Sequence, residues 1–84
     1  DISPLSGLTQ LQELSLNETA VQDISPLKQL TALYDLSLAG CEVDDAQTLM
    51  GLTNIGWLDI RDTAFTEEQL SELYSRFPEA YIIA

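Results

Sequence analysis

The chain has 84 residues, room for one small domain, and sets 14 acidic side chains against 3 basic ones with no histidine, for a formal net charge of −11. With only Lys28, Arg61 and Arg76 to neutralise phosphates, no nucleic-acid partner is expected and anionic membrane surfaces are disfavoured. Cys41 is the single cysteine, so no internal disulfide can form, and no apolar run approaches the ~20 residues of a membrane-spanning helix.

Taken from its first residue, the chain repeats itself. Asp1-Ile2-Ser3-Pro4-Leu5 returns unchanged as Asp23-Ile24-Ser25-Pro26-Leu27. Cut at that interval, residues 1–22, 23–44 and 45–66 align without insertion or deletion. Leu8, Leu30 and Leu52 share a column, as do Leu14, Leu36 and Leu58, and Leu16, Leu38 and Ile60. A fixed period of this size predicts a solenoid, in which each repeat buries its apolar face against its neighbours.

Each repeat opens on a return segment. Pro4 and Pro26 fix φ and remove a backbone donor, which predicts irregular or 3₁₀ structure there. The column Asp1, Asp23, Asp45 and Glu67 is predicted to cap the short turns that follow. The alternation Leu36-Ser37-Leu38 and its counterparts then predict a short strand with one buried face. Spacings of three on either side do not fit a continuing strand, so the chain turns at both ends. One strand per repeat gives a parallel sheet with strands about 4.8 Å apart.

The last segment differs. Thr66-Glu67-Glu68-Gln69 is a capping-box sequence, followed by Leu70, Leu73, Tyr74 and Phe77 at helical spacing, with Pro78 as the stop. Phe77-x-x-Ala80-x-Ile82 then repeats the strand spacing and predicts one more strand. Helix and strand together would close the C-terminal end of the core. No such lid precedes Asp1, which leaves Leu8, Leu11, Leu14 and Leu16 at an edge expected to be covered by upstream repeats or by a partner.

The pattern LxxLxLxx(T/C)x(V/F), carried by three successive copies, resembles the leucine-rich repeat family. It is closest to the 22-residue class, and DISPLxxLTxLxxLxL is similar to bacterial internalin-type repeats. Where that family usually places Asn after the strand, this chain has Thr19, Cys41 and Thr63, whose hydroxyl or thiol still bonds turn backbone, more weakly. The resemblance implies an α/β leucine-rich repeat solenoid: short parallel strands, irregular or 3₁₀ return segments, and a capping helix and strand. It implies one domain over 1–84, with repeats 1–22, 23–44 and 45–66 and a cap at 67–84, belonging to a longer protein. It points to a bacterial surface or secreted setting, although the 22-residue class also includes intracellular regulators.

The family binds protein partners on the concave strand face. Carried over by position, that face holds Glu13, Asp35 with Tyr34 beside it, Trp57, Asp59, Arg61 and Tyr81, and Ile83 extends it. Trp57, Asp59, Arg61 and Tyr81 are expected to form one mixed aromatic and charged patch, of the composition that dominates interface hot spots. Gly56 is expected to leave the Trp57 ring unobstructed. The competing reading is that Trp57 shields a backbone edge and Arg61 pairs with Asp59 or Asp62. Glu13 and Asp35 should stack as like charges, which a basic or mixed-charge partner would relieve and which solvent alone would also accommodate.

Neither a metal nor a cofactor is expected. The acid pairs Asp44-Asp45 and Glu67-Glu68 lack the spacing that wraps a calcium ion. Without His, a Cys/His pair or a phosphate-binding glycine loop, no enzymatic activity is expected. The sequence is therefore read as a protein-interaction module, with a structural cap or spacer of a larger protein as the alternative.

Overall fold

The computed structural model describes residues 2–84; Asp1, one member of the predicted capping column, lies outside the described residues. Four three-residue strands, β1 (Glu13–Ser15), β2 (Asp35–Ser37), β3 (Trp57–Asp59) and β4 (Tyr81–Ile83), form one parallel sheet in sequence order. Leu14, Leu36, Leu58 and Ile82 stand in register across it, the middle residue of each strand turned to the core. The ladder continues past the strands. Leu16 N–H donates to the Ser37 carbonyl at 2.9 Å, Leu38 to Asp59 at 2.7 Å and Ile60 to Ile83 at 2.8 Å. Three-residue strands are held by these neighbours above and below, not by their own length.

After each of the first three strands the chain turns through a left-handed residue, at Glu18 (φ 57°), Gly40 (φ 79°) and Asp62 (φ 57°). Only Gly40 adopts that conformation without a steric cost. A Cβ there would also lie 2.9 Å from the Glu18 Cγ of the preceding coil, so the two turns pack closely where the side chain is missing. The Asn-like positions act as expected. Thr19 Oγ1 donates to the Leu16 carbonyl at 2.9 Å, Thr63 Oγ1 to Ile60 at 2.8 Å, and the buried Cys41 Sγ reaches back one coil to Leu16 at 2.8 Å.

The return segments divide into two kinds. Those with proline are 3₁₀ turns, Ser3–Gly7 and Ser25–Gln29. The third departs from the expectation of irregular or 3₁₀ structure and is a short α-helix, α1 (Ala46–Met50). Thr48 explains the change, because it stands in the proline column and has an N–H to give. Asp45 Oδ1 accepts from that N–H at 3.1 Å and Asp45 Oδ2 from the Thr48 hydroxyl at 2.6 Å, a helix N-cap. Among the described residues the capping column therefore holds in full only at Asp45. Asp23 instead accepts from Ser25 N–H at 2.9 Å, one residue ahead of a turn whose own cap, Ile24, has no side-chain bond. Glu67 lies inside the closing helix, whose N-cap is Thr66.

That helix, α2 (Glu67–Arg76), has both bonds of the predicted capping box: Gln69 N–H to Thr66 Oγ1 at 3.1 Å and Thr66 N–H to Gln69 Oε1 at 2.8 Å. It is pinned to the third repeat. Gln69 donates to the Asp44 carbonyl at 2.9 Å, and Arg76 to Met50 and Leu52 at 2.8 and 3.2 Å. Leu73 and Phe77 are buried beneath it.

Burial is uneven along the coil axis. Leu27, Leu30, Leu33, Leu36, Leu38, Leu52 and Leu58 are wholly buried. Their first-repeat counterparts Leu5, Leu11, Leu14 and Leu16 are half-buried, and Leu8 is 48% exposed. Each coil completes the cover of the one before it, so the first has cover on one side only.

Candidate functional site

The sheet face turned away from the core carries two columns of side chains. Nearest the strand N-termini, Glu13, Asp35, Trp57 and Tyr81 are register partners across all four strands. The second column is Ser15, Ser37, Asp59 and Ile83. The face thus changes character from β1 to β4, from carboxylates to aromatic rings.

Trp57 and Tyr81 pack together, with ring centroids 4.7 Å apart and planes inclined by 41°. Both stay open to solvent, at 41% and 59%, and Tyr34 is 58% exposed. Tyr34 precedes β2 and is aligned with Gly56. Its ring lies where a Gly56 side chain would stand, with Tyr34 Cε2 overlapping the place of a Cβ. Gly56 therefore also seats the Tyr34 ring of the preceding coil. Three rings on three neighbouring coils then border one surface.

Asp59 corrects the expectation of an exposed strand residue. It is 6% exposed and covered by Arg61, whose Nε and Nη2 donate to Asp59 Oδ1 and Oδ2 at 3.0 and 2.8 Å. The forked pairing matches guanidinium to carboxylate geometry. The Arg61 guanidinium holds the Asp59 carboxyl below the usual carboxylate range, against the upward pull of burial, and the carboxylate in turn raises Arg61. Asp59 acts on the surface through Arg61, whose side chain is 57% exposed.

A lowered folded-state pKa means this pair stabilises the fold above the ordinary carboxylate pKa and ceases to do so as pH falls through the depressed value. Asp59→Asn is expected to cost about 1 kcal/mol at pH 7, the modest figure reflecting solvent screening of the exposed guanidinium. Its deficit should shrink as pH falls below about 4, where the unfolded-state carboxylate begins to protonate while the native one still holds its charge. Thermal melts of both proteins across that range check the sign.

The other cations are also engaged or remote. Arg76 bonds the Met50 and Leu52 carbonyls and lies 5.0 Å from the Phe77 ring centroid, and Lys28 belongs to the second 3₁₀ turn, on the return side of the coil. Among the described residues the Asp59–Arg61 pair is the one salt bridge. Glu13 and Asp35 have no ion-pair partner there. At the C-terminal ends of the strands, Asn17, Glu18, Ala39, Gly40, Arg61 and Asp62 line a shallow depression. Asn17 Oδ1 accepts there from Ala39 N–H at 3.1 Å and from the Ser37 hydroxyl.

Stacked parallel strands, one per coil, with 3₁₀ and short helical returns define a leucine-rich repeat solenoid of α/β class. Among solved structures the likeness is to Listeria monocytogenes internalins, so the solenoid is of the bacterial, internalin-like kind. The crystal structure of internalin C2 matches with a TM-score of 0.78 and 30% identity, over 98% of this chain and 35% of that one. Internalin F matches with a TM-score of 0.81 and 27% identity, over 99% of this chain and 24% of that one. The chain thus spans about a third and a quarter of their lengths. No family model matches the sequence, and no curated protein matches it.

Proposed function

We propose that the chain is a protein-binding module which engages its partner through the concave strand face, around Trp57, Tyr81 and the Asp59-supported Arg61, with Tyr34, Asp35 and Glu13 at the border. The observation that carries this is the trio of exposed rings, Tyr34, Trp57 and Tyr81, at 58%, 41% and 59%, held on neighbouring coils of one sheet face. Large exposed aromatics beside an arginine are the residues that supply most binding energy at protein interfaces. The likeness to internalins supports a protein-interaction role of this kind. The partner is basic or of mixed charge, given the −11 of the chain. The surface serves recognition and not catalysis.

In this reading residues 1–84 are one domain of the 22-residue class, with repeats 1–22, 23–44 and 45–66 and a cap at 67–84, and further repeats of a longer protein lie upstream. A second reading, a structural cap that ends and spaces a larger repeat protein, draws on the way Gln69 and Arg76 fasten α2 over the third repeat.

Trp57→Ala separates the two. Under the binding reading it lowers partner affinity by about 2 kcal/mol or more, roughly thirtyfold, while circular dichroism shows the fold retained. Titration calorimetry with a purified partner gives the number. Unchanged affinity would demote Trp57 to scaffold and leave the spacer reading.

A further inference from the structure

The column nearest the strand N-termini reads carboxylate, carboxylate, indole, phenol: Glu13, Asp35, Trp57, Tyr81. Register partners on adjacent strands place side chains about 5 Å apart at their bases, so Asp35 and Trp57 are direct neighbours. Tyr81 packs on the β4 side of the indole at 4.7 Å. Trp57 stays 41% exposed, and on its β2 side stands its register partner Asp35, with Tyr34 over Gly56.

The chain does not complete this site itself. Arg61 is spent on Asp59, Arg76 on backbone carbonyls, and Lys28 sits on the return side. Glu13 and Asp35 therefore present negative charge beside aromatic faces with no cation of their own, and charge complementarity fixes what the partner must bring.

Resting on the concave-face reading, we propose that this column is a seat for an arginine side chain of the partner protein, its guanidinium lying against Trp57 and forked onto Asp35. A planar, weakly hydrated cation suits both halves at once. Indole is the best ring for a cation, and the guanidinium fork matches a carboxylate. Lysine, a compact and strongly hydrated ammonium, satisfies the charge but not the stack. Glu13, one strand further on, extends the attraction to a second basic residue of the same segment.

Trp57 is the only tryptophan in the chain, so its fluorescence and its indole N–H signal report on this seat alone. The test titrates the 84-residue protein with a blocked tri-arginine peptide and with a blocked tri-lysine peptide of equal charge, followed by Trp57 fluorescence and by amide and indole NMR shifts. Tri-arginine should bind about three- to tenfold tighter than tri-lysine. Its shifts should centre on Asp35, Trp57 and Tyr81. Asp35→Asn and Trp57→Phe should each remove most of that preference, whereas Glu72→Gln on the exposed face of α2 leaves it unchanged.

Equal binding of the two peptides at the strand face would overturn the arginine seat while leaving concave-face binding intact. Shifts centred on the acids of the return segments or α2, such as Asp44 or Glu68, would overturn both. Asp35→Asn without effect, despite shifts at Trp57, would also overturn the fork.

Discussion

Leu36→Ala is expected to lower the unfolding free energy by about 3 kcal/mol, and Leu14→Ala, in the same column one coil earlier, by distinctly less. Both delete the same atoms, so the transfer term is the same, and the difference lies in cover. Leu36 is wholly buried between Leu14 and Leu58, whereas Leu14 is half-buried with a neighbour on one side only. Truncation of a buried leucine costs about 2–5 kcal/mol, and the cost grows with the cavity that remains. A half-buried site can relax and admit water. In a domain of this length, with a total stability of about 4–13 kcal/mol, losing 3 is a large fraction and lowers the melting temperature by roughly 12–24 °C. Equilibrium unfolding in urea, followed through Trp57 fluorescence, reads both variants. Equal losses at Leu14 and Leu36 would mean that the first coil is covered in solution, by self-association for instance, and sedimentation would show it.

The repeat was legible because it is written in the positions that face inward. An interior shared by stacked coils admits one kind of residue per column, so Leu14, Leu36 and Leu58 align in sequence for the same reason that they align in space. The closing helix was legible for a local reason: a capping box acts within four residues, and Thr66 and Gln69 carry all of it. Features that depend on contact between coils were harder to read. The seat of Tyr34 on Gly56 joins residues a full repeat apart, and the signal that could have revealed it is the bulky ring aligned with a glycine in the next copy. Asp59 occupies an outward position by strand alternation, yet Arg61, two residues later, folds over it and buries it. Helix α1 was signalled by a single exchange, Thr48 in the proline column. Its effect depends on Asp45 reaching that N–H, and the same column does something else at Asp23, where proline offers none.

A chain extended by one further copy of residues 23–44 ahead of Asp1 is expected to melt higher than the 84-residue chain, by roughly 10–20 °C. In a solenoid each added repeat contributes its own small intrinsic term and one interface with its neighbour, and the interface is the favourable part. Here the neighbour surface already exists: Leu8 is 48% exposed and Leu5, Leu11, Leu14 and Leu16 are half-buried. Completing their burial recovers a fraction of about 1.5–3 kcal/mol for each leucine. The added repeat brings its own leucines against them, and its backbone entropy cost of about 1–2 kcal/mol per residue is met mainly by its own burial and ladder. A net gain of about 2–3 kcal/mol gives the stated shift for a domain of this size. Hydrogen exchange locates the effect. In the 84-residue chain the Leu16 and Glu18 amides, which donate to the second coil, should exchange faster than the Leu38 and Gly40 amides that make the same bonds one coil later. In the extended chain that difference should close, because the first coil then has a neighbour on each side. Unchanged melting with unchanged exchange would show that the exposed leucine edge is not a stacking surface, and upstream repeats would lose their physical basis.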